Sequence, residues 1–186
     1  NEAAHLDAVI ATIPAFVDEI IIISNKSTDD TLGRARELGV YAIEDNRTSG
    51  GIGYGYAHMT GMEQSSGDII VTADADCTYP VQELQSILDN FIDNRLNFMS
   101  CNRYPIDDDT KIPFKLRLGV GVLNAEVAIL YGHRIKDILS GMWVMDTVAR
   151  EQLTLTMGDW NLSPEIKLNA LLHPSISFAE YRIRQH

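Results

Sequence analysis

Cysteine is nearly absent: Cys77 and Cys101 are the only two in 186 residues. Two are too few for a disulfide framework or a zinc cluster, so a reducing compartment is the expected setting. Positive charge is also scarce, with 15 Lys and Arg against 26 Asp and Glu and a formal net charge of −11. A nucleic-acid surface would show a basic patch or stripe, and this balance argues against one. An anionic substrate would need a metal or locally gathered arginines. No apolar run reaches bilayer length. The longest, Leu116 to Leu130, is interrupted by Asn124 and Glu126 and is too short to span. Its Leu116, Val120, Leu123, Val127 and Leu130 recur at helical spacing, which predicts an amphipathic helix with one buried face. No signal peptide is expected. The five histidines show no i, i+4 ligand spacing and read as structural or exposed. Gly50 to Gly55 lacks the Lys-Ser/Thr ending of a P-loop and reads as a loop entering a helix. Trp143 and Trp160 read as packing residues.

Apolar residues are plentiful at 45%, enough to close the core of a single domain over residues 1–186. The most telling stretch is Ile69 to Pro80, IIVTADADCTYP. An apolar run opened by Ser66-Gly67-Asp68 and broken by Asp74-Ala75-Asp76 reads as a buried parallel strand. Ligands of open α/β sheets gather where such strands end. There the chain can turn and bring both carboxylates to one site, a geometry that suits Mg2+ or Mn2+. The alternative is an acidic loop, or Asp76 capping the helix that starts near Pro80.

Strands and helices alternate through the first half. The pattern predicts strands over 18–24, 40–44, 69–74 and 97–101, helices over 3–13, 29–38 and 80–91, and a further helix that the Gly50 to Gly55 run leads into and that ends near Ser65. Such βαβ units imply an α/β domain with a mostly parallel sheet flanked by helices. The right-handed crossover then places Ser24, Asn25, Asp74 and Asp76 along one sheet edge. The second half is less regular, with a charged loop over 103–113, the long helix, a strand over 140–145, a helix over 164–172 and a last strand over 175–183. Asp137 is expected to pair with Arg134 or Lys136. The abrupt ends, at Asn1 without a methionine and at His186 after a strand, suggest a piece truncated at both ends and missing its first strand.

Eight landmarks in order carry a resemblance: Asn1-Glu2-Ala3, Ile23 to Thr31, Gly50 to Gly61 with Ser66-Gly67-Asp68, the TADADCTYP run, Cys101-Asn102-Arg103, Asp137 with Ser140-Gly141-Met142, Ser163-Pro164-Glu165, and Glu180-Tyr181-Arg182. Together they resemble the family-2 glycosyltransferases of GT-A (Rossmann-like) fold, and among them the dolichyl- or polyprenyl-phosphate mannose or glucose synthases. The resemblance implies that Asn1, Glu2, Ser24 and Asn25 lie at the nucleotide, and that Asp74 and Asp76 bind the metal, with Asp74 nearer the ribose or sugar. It implies that Arg103 holds an acceptor phosphate, that Ser140 and Gly141 lie near the acceptor, and that Glu165 is a site acid. Three positions depart from the pattern: Ser24 replaces an aspartate that reads the base, Lys26 replaces a glycine, and Trp143 replaces a frequent arginine. Without the family, Arg103 reads as a solvated loop residue and Glu165 as an acid favoured by a helix N-terminus.

The implied activity is metal-dependent, inverting transfer of a sugar from a UDP- or GDP-sugar, with a lipid phosphate as the expected acceptor. A metal at the leaving diphosphate supplies several kcal/mol of stabilisation, and holding donor and acceptor in line is positioning work. A lipid phosphate is already ionised and needs no base, whereas a sugar hydroxyl would need a carboxylate. Lys111, Lys115, Arg117, Arg182 and Arg184 would offset the acidity of the chain near that acceptor, or pair with Asp107, Asp108 and Asp109. The expected location is cytoplasmic, at the cytoplasmic face of a membrane. Two other readings stay open, a saccharide-extending relative and a non-catalytic sugar-nucleotide-binding domain. The oligomeric state is not legible.

Overall fold

A computed structural model describes residues 1–48, 50–106 and 114–184. The element order is α1 (Leu6–Thr12), β1 (Ile21–Asn25), α2 (Thr31–Glu37), β2 (Tyr41–Asp45), α3 (Tyr54–Gln64), β3 (Ile69–Thr72), a 3-10 turn (Val81–Glu83), α4 (Leu84–Asp93), β4 (Phe98–Asn102), α5 (Phe114–Tyr131), β5 (Trp143–Asp146), α6 (Thr147–Gln152), α7 (Leu162–Leu172) and β6 (Phe178–Arg182). Local chemistry accounts for several boundaries. The isoleucine run of β1 favours an extended chain. Gly39 at φ 76° and Gly53 at φ 78° take the left-handed conformations that close α2 and open α3. Asp146 caps α6 by accepting from the Ala149 amide at 2.8 Å.

The strands form two sheets. β1 and β2 pair in parallel, and the second sheet has the order β3-β5-β4-β6. The βα units give β3, β4 and β6 one direction, as the sequence pattern implies, but β5 slots between β3 and β4 antiparallel to both. The domain is therefore α/β with mixed rather than mostly parallel pairing.

Alternation along β4 divides the core. Phe98 faces a layer with Met59 and Met62 of α3, Trp143, and Leu162 and Ile166 of α7. Met99 and Cys101 face Leu84, Ile87 and Phe91 of α4, with Val144 and Ile183. The helix predicted from Pro80 opens instead as the 3-10 turn. α5 departs further from expectation. Val120 and Val127 are buried, but Leu123, Leu118, Val122, Ile129 and Leu130 are exposed, the last two at 81% and 73%. Val127 packs with Ile135 and Ile138 against Leu168 and Leu171 of α7, which leaves the apolar residues on the rest of the helix, Val120 apart, open. The charged segment 107–113, with Lys111 and Asp107 to Asp109, lies outside the described residues.

Candidate active site

Asp74 and Asp76 leave the end of β3 in a turn. Asp76 is exposed, and its Oδ1 accepts from the Thr78 amide at 2.9 Å. Cys77, between them and Thr78, is held at φ 64°, a conformation that a non-glycine residue adopts at a cost and that recurs at functional turns. The Asp74 side chain is 29% exposed. Burial pushes its carboxyl up to about 6, a hydrogen bond from the Tyr54 hydroxyl opposes the rise, and the Asp76 charge adds to it. Arg103 and Glu2 are close enough for their charges to act on Asp74, so one carboxylate feels both expected ends of the site.

On the nucleotide side the predicted residues gather around one turn. The Asn1 Oδ1 accepts from the Thr28 amide at 2.6 Å and the Thr28 hydroxyl at 3.2 Å, and the Glu2 amide donates to the Thr31 hydroxyl. Ser24 is buried and donates to Ser27 Oγ at 2.7 Å, so its hydroxyl is spent inside the turn. Asn25 donates from Nδ2 to the Arg47 carbonyl at 3.0 Å. Its Oδ1 is buried without a partner among the described residues. Lys26 sits at φ 51°, a left-handed conformation that suits the glycine the family resemblance implies at its position.

On the acceptor side, Arg103 and Asp137 form a bidentate pair, Nε to Oδ2 at 2.7 Å and Nη2 to Oδ1 at 3.0 Å. Asp137 is fully buried. The expected pairing with Arg134 or Lys136 is thus replaced, because β4 delivers Arg103 directly above the Asp137 loop. Burial alone would raise the Asp137 carboxyl, but Arg103 outweighs it and holds it below the ordinary range. Ser140 and Gly141 follow. The Gly141 amide donates to the Tyr79 hydroxyl at 2.7 Å, and its carbonyl accepts from Thr72 Oγ1 at 3.1 Å. A Cβ on Gly141 would run into the Tyr54 hydroxyl and approach Asp74, so a glycine is needed for these groups to meet. Beneath the loop lies Lys167, fully buried, its Nζ donating to the carbonyls of Asp137 (2.9 Å), Ile138 (3.0 Å) and Ser140 (2.6 Å). Burial brings its pKa down to about 7.

Beside Arg103 is a cavity of about 440 Å3, lined by Tyr104, Pro105, Val120 and the cations Arg117, Lys136 and Arg182. Asn102 pairs with Arg182 across parallel β4 and β6, so the cavity opens at the same strand ends as Asp74. Three of the expected acceptor-side cations are resolved apart from it or outside the structure: Lys115 and Arg184 are exposed, and Lys111 is not described. Glu165 is placed differently from Arg103. Both its oxygens are engaged, by the Thr156 amide (3.0 Å), the Thr156 hydroxyl (2.6 Å) and the Met157 amide (2.9 Å), which makes it the anchor of the loop before α7.

Sequence reasoning missed Tyr54, Tyr79 and Lys167, and it read Trp160 as a packing residue although that residue is 60% exposed. Tyr79 stands inside the TADADCTYP run. Lys167 occupies a core-facing slot on α7 next to Ile166, a signal that could have flagged it. Nothing in the pattern marked Tyr54 or Trp160.

Two carboxylates with an exposed oxygen and a half-buried neighbour form a hard-oxygen pair that fits Mg2+ or Mn2+ when substrate phosphates complete the shell. Among the described residues no group of three or more His, Cys, Asp or Glu could hold a metal.

The family model for glycosyl transferase family 2 matches residues 1–152. A low-salt glycan biosynthesis hexosyltransferase of Haloferax volcanii is 27% identical over 177 residues, 91% of this chain. The chain spans only 42% of that relative's length. A dolichyl-phosphate hexose transferase of the same organism is 28% identical over 145 residues, 76% of this chain and 60% of the relative. Among solved structures, glucosyl-3-phosphoglycerate synthase from Mycobacterium tuberculosis, in complex with Mn2+, UDP-glucose and phosphoglyceric acid, superposes with a TM-score of 0.75 at 19% identity, over all of this chain and 68% of that one. The likeness establishes the GT-A fold.

Proposed function

The chain belongs to glycosyl transferase family 2, and from that premise we propose that it moves a hexosyl group, with inversion, from a UDP-sugar to a polyprenyl or dolichyl phosphate. The observation that carries this reading is the pairing of two carboxylates and a basic cavity along one line of strand ends. Asp74 and Asp76 would hold the divalent cation, which when bound supplies Lewis-acid stabilisation to the departing diphosphate. Asn1, Ser24 and Asn25 surround the place of the base, with the Asn25 Oδ1 as the free acceptor. UDP is favoured over GDP by the UDP-bound structural neighbours.

The acceptor enters from the cavity. A non-bridging phosphate oxygen attacks C1 of the sugar from the face opposite the diphosphate. The C1–O bond breaks, and the electron pair leaves on the nucleotide. Arg103, Arg117, Lys136 and Arg182 offset the repulsion that an acidic chain exerts on a phosphate. Asp137 fixes the Arg103 guanidinium so that little side-chain entropy is lost on binding. The attacking oxygen is already ionised, so no base is needed, and Glu165 is left to its loop. The apolar walls of Tyr104, Pro105 and Val120 suit the first isoprene units, and the exposed face of α5 suits the surface of the membrane that carries the lipid.

Transfer of labelled glucose from UDP-glucose to a short polyprenyl phosphate by the full-length protein tests the whole reading. Asp76→Asn should lose most Mn2+-dependent UDP affinity in calorimetry. Arg117→Ala with Lys136→Ala should cut transfer at least tenfold while UDP affinity holds. Efficient transfer to a free saccharide with none to the lipid phosphate would refute the acceptor and leave the donor site standing.

A further inference from the structure

We propose that Trp160, stacked on Tyr54, is a platform that holds a pyranose ring at this site. The proposal rests on the donor-site reading above and adds a binding surface to it. Trp160 is 60% exposed, yet its ring lies 4.2 Å from that of Tyr54 at an interplanar angle of 20°. One indole face is thus covered and the other is open. Tyr54 donates to Asp74, so the stack is tied through Tyr54 to the carboxylate of the metal pair. Behind Tyr54, His58 lies 4.5 Å away and Trp143 a further 4.9 Å, deep in the core.

The loop under Trp160 is fastened more firmly than a surface turn requires. A Cβ on Gly55 would stand 2.3 Å from the Met157 carbonyl, and one on Gly158 would stand 2.3 Å from the Tyr56 ring. The Tyr56 amide donates to the Gly158 carbonyl at 3.2 Å, Glu165 holds Thr156 and Met157, and Asp159 accepts from the Trp160 amide at 2.9 Å. A large aromatic left open to water but immobilised by its neighbours has its ordering cost already met before a ligand arrives. The C–H face of a pyranose is apolar and flat, and an open indole face complements it. The ring can come from the donor or from a saccharide acceptor, and the base, which belongs at Asn25, is the competing occupant.

Tryptophan emission reads this directly, because Trp143 is fully buried and only Trp160 meets solvent. With Mn2+ present, the full-length protein is titrated with UDP, UDP-glucose, GDP, GDP-mannose, and methyl glucoside in the presence of UDP. A sugar nucleotide should quench or shift the emission well beyond its nucleoside diphosphate if the donor ring stacks. The glucoside should do so if an acceptor ring stacks. Trp160→Phe should abolish the signal. Trp160→Leu, which keeps bulk on Tyr54 and guards against a folding defect, should raise the KM of the stacking substrate about tenfold and change UDP affinity less than twofold. Equal responses to UDP and UDP-glucose would assign the platform to the base and overturn the proposal. So would a silent tryptophan when calorimetry shows UDP-glucose bound, or a Trp160→Leu variant with unchanged KM. No nucleotide binding at all would sink the donor reading together with it.

Discussion

Lys26 shows how a single residue reads differently in sequence and in space. In the sequence it stands as a departure from a glycine pattern. In the structure its φ of 51° shows the backbone conformation that glycine serves. A left-handed conformation costs an L-residue about 1 kcal/mol, and the chain carries that cost with no partner described for the lysine side chain. Lys26→Gly should therefore stabilise the domain by about 0.5–1 kcal/mol and raise Tm by roughly 2–3 °C, measured by thermal melting. A fall in Tm would show that the lysine makes a compensating contact. Asp137 makes the opposite case. Its carboxylate is fully buried against Arg103, whose side chain is 17% exposed, and removing one partner of such a pair leaves the other charge without compensation. Asp137→Ala should cost about 3 kcal/mol in denaturant unfolding, and Arg103→Leu added to it should recover a good part of the loss. Additive losses in the double variant would contradict the pairing. Residue types at Asp74, Asp76 and Arg103 were legible in the sequence because short motifs preserve them. Their partners were not, since Tyr54, Asp137 and Lys167 arrive from elements far along the chain.

Elements were legible where periodicity and turn chemistry agree, as in β1, α2, α3 and β3. The direction of β5 was not, because strand polarity is set by which edge the preceding helix returns to, and no local pattern records it. The end of β2 carries a network of the same non-local kind. Asp45 is 6% exposed, accepts from Arg47 at 2.8 Å and from Thr60 at 2.6 Å, and so joins β2 to α3 beside the Asn25 loop. Its hydrogen bonds with Arg47, against the pull of burial, bring its carboxyl down to about 2. The folded value is below the unfolded value of about 3.8, so the stabilisation is present in full above pH 4 and is lost as pH falls through about 2. The shift corresponds to at most about 2 kcal/mol, and the half-exposed Arg47 reduces it toward 1. Asp45→Asn should lower stability by about 1 kcal/mol at pH 7 and by almost nothing at pH 2. A pH-independent difference in urea midpoints would show that the loss comes from packing.

At the scale of the whole molecule, the charge of −11 opposes any approach to an anionic membrane, and only local features can overcome it. α5 offers two. Leu118, Val122, Ile129 and Leu130 are apolar and exposed, and Lys115 and Arg117 stand exposed in its first turn. The helix is too polar to cross a bilayer, and no helix among the described residues is long and apolar enough to do so. A helix of this composition can instead lie in the interface with its side chains among the headgroups. The energetics separate the two contributions. Burying Ile129 and Leu130 should give about 1–1.5 kcal/mol each for partial insertion, whereas two basic residues add about 1 kcal/mol each near anionic lipid and lose it with salt. Co-sedimentation with phosphatidylcholine vesicles containing phosphatidylserine should therefore fall only modestly between 0.1 and 0.5 M salt. It should fall roughly 30-fold, the equivalent of about 2 kcal/mol, when both Ile129 and Leu130 are changed to Ser. Both side chains are exposed, so the double variant should melt with the parent protein. Vesicle binding that vanishes with salt and ignores the serine substitutions would assign the contact to charge alone. No binding at any composition would detach α5 from the membrane and leave its apolar face to a protein neighbour.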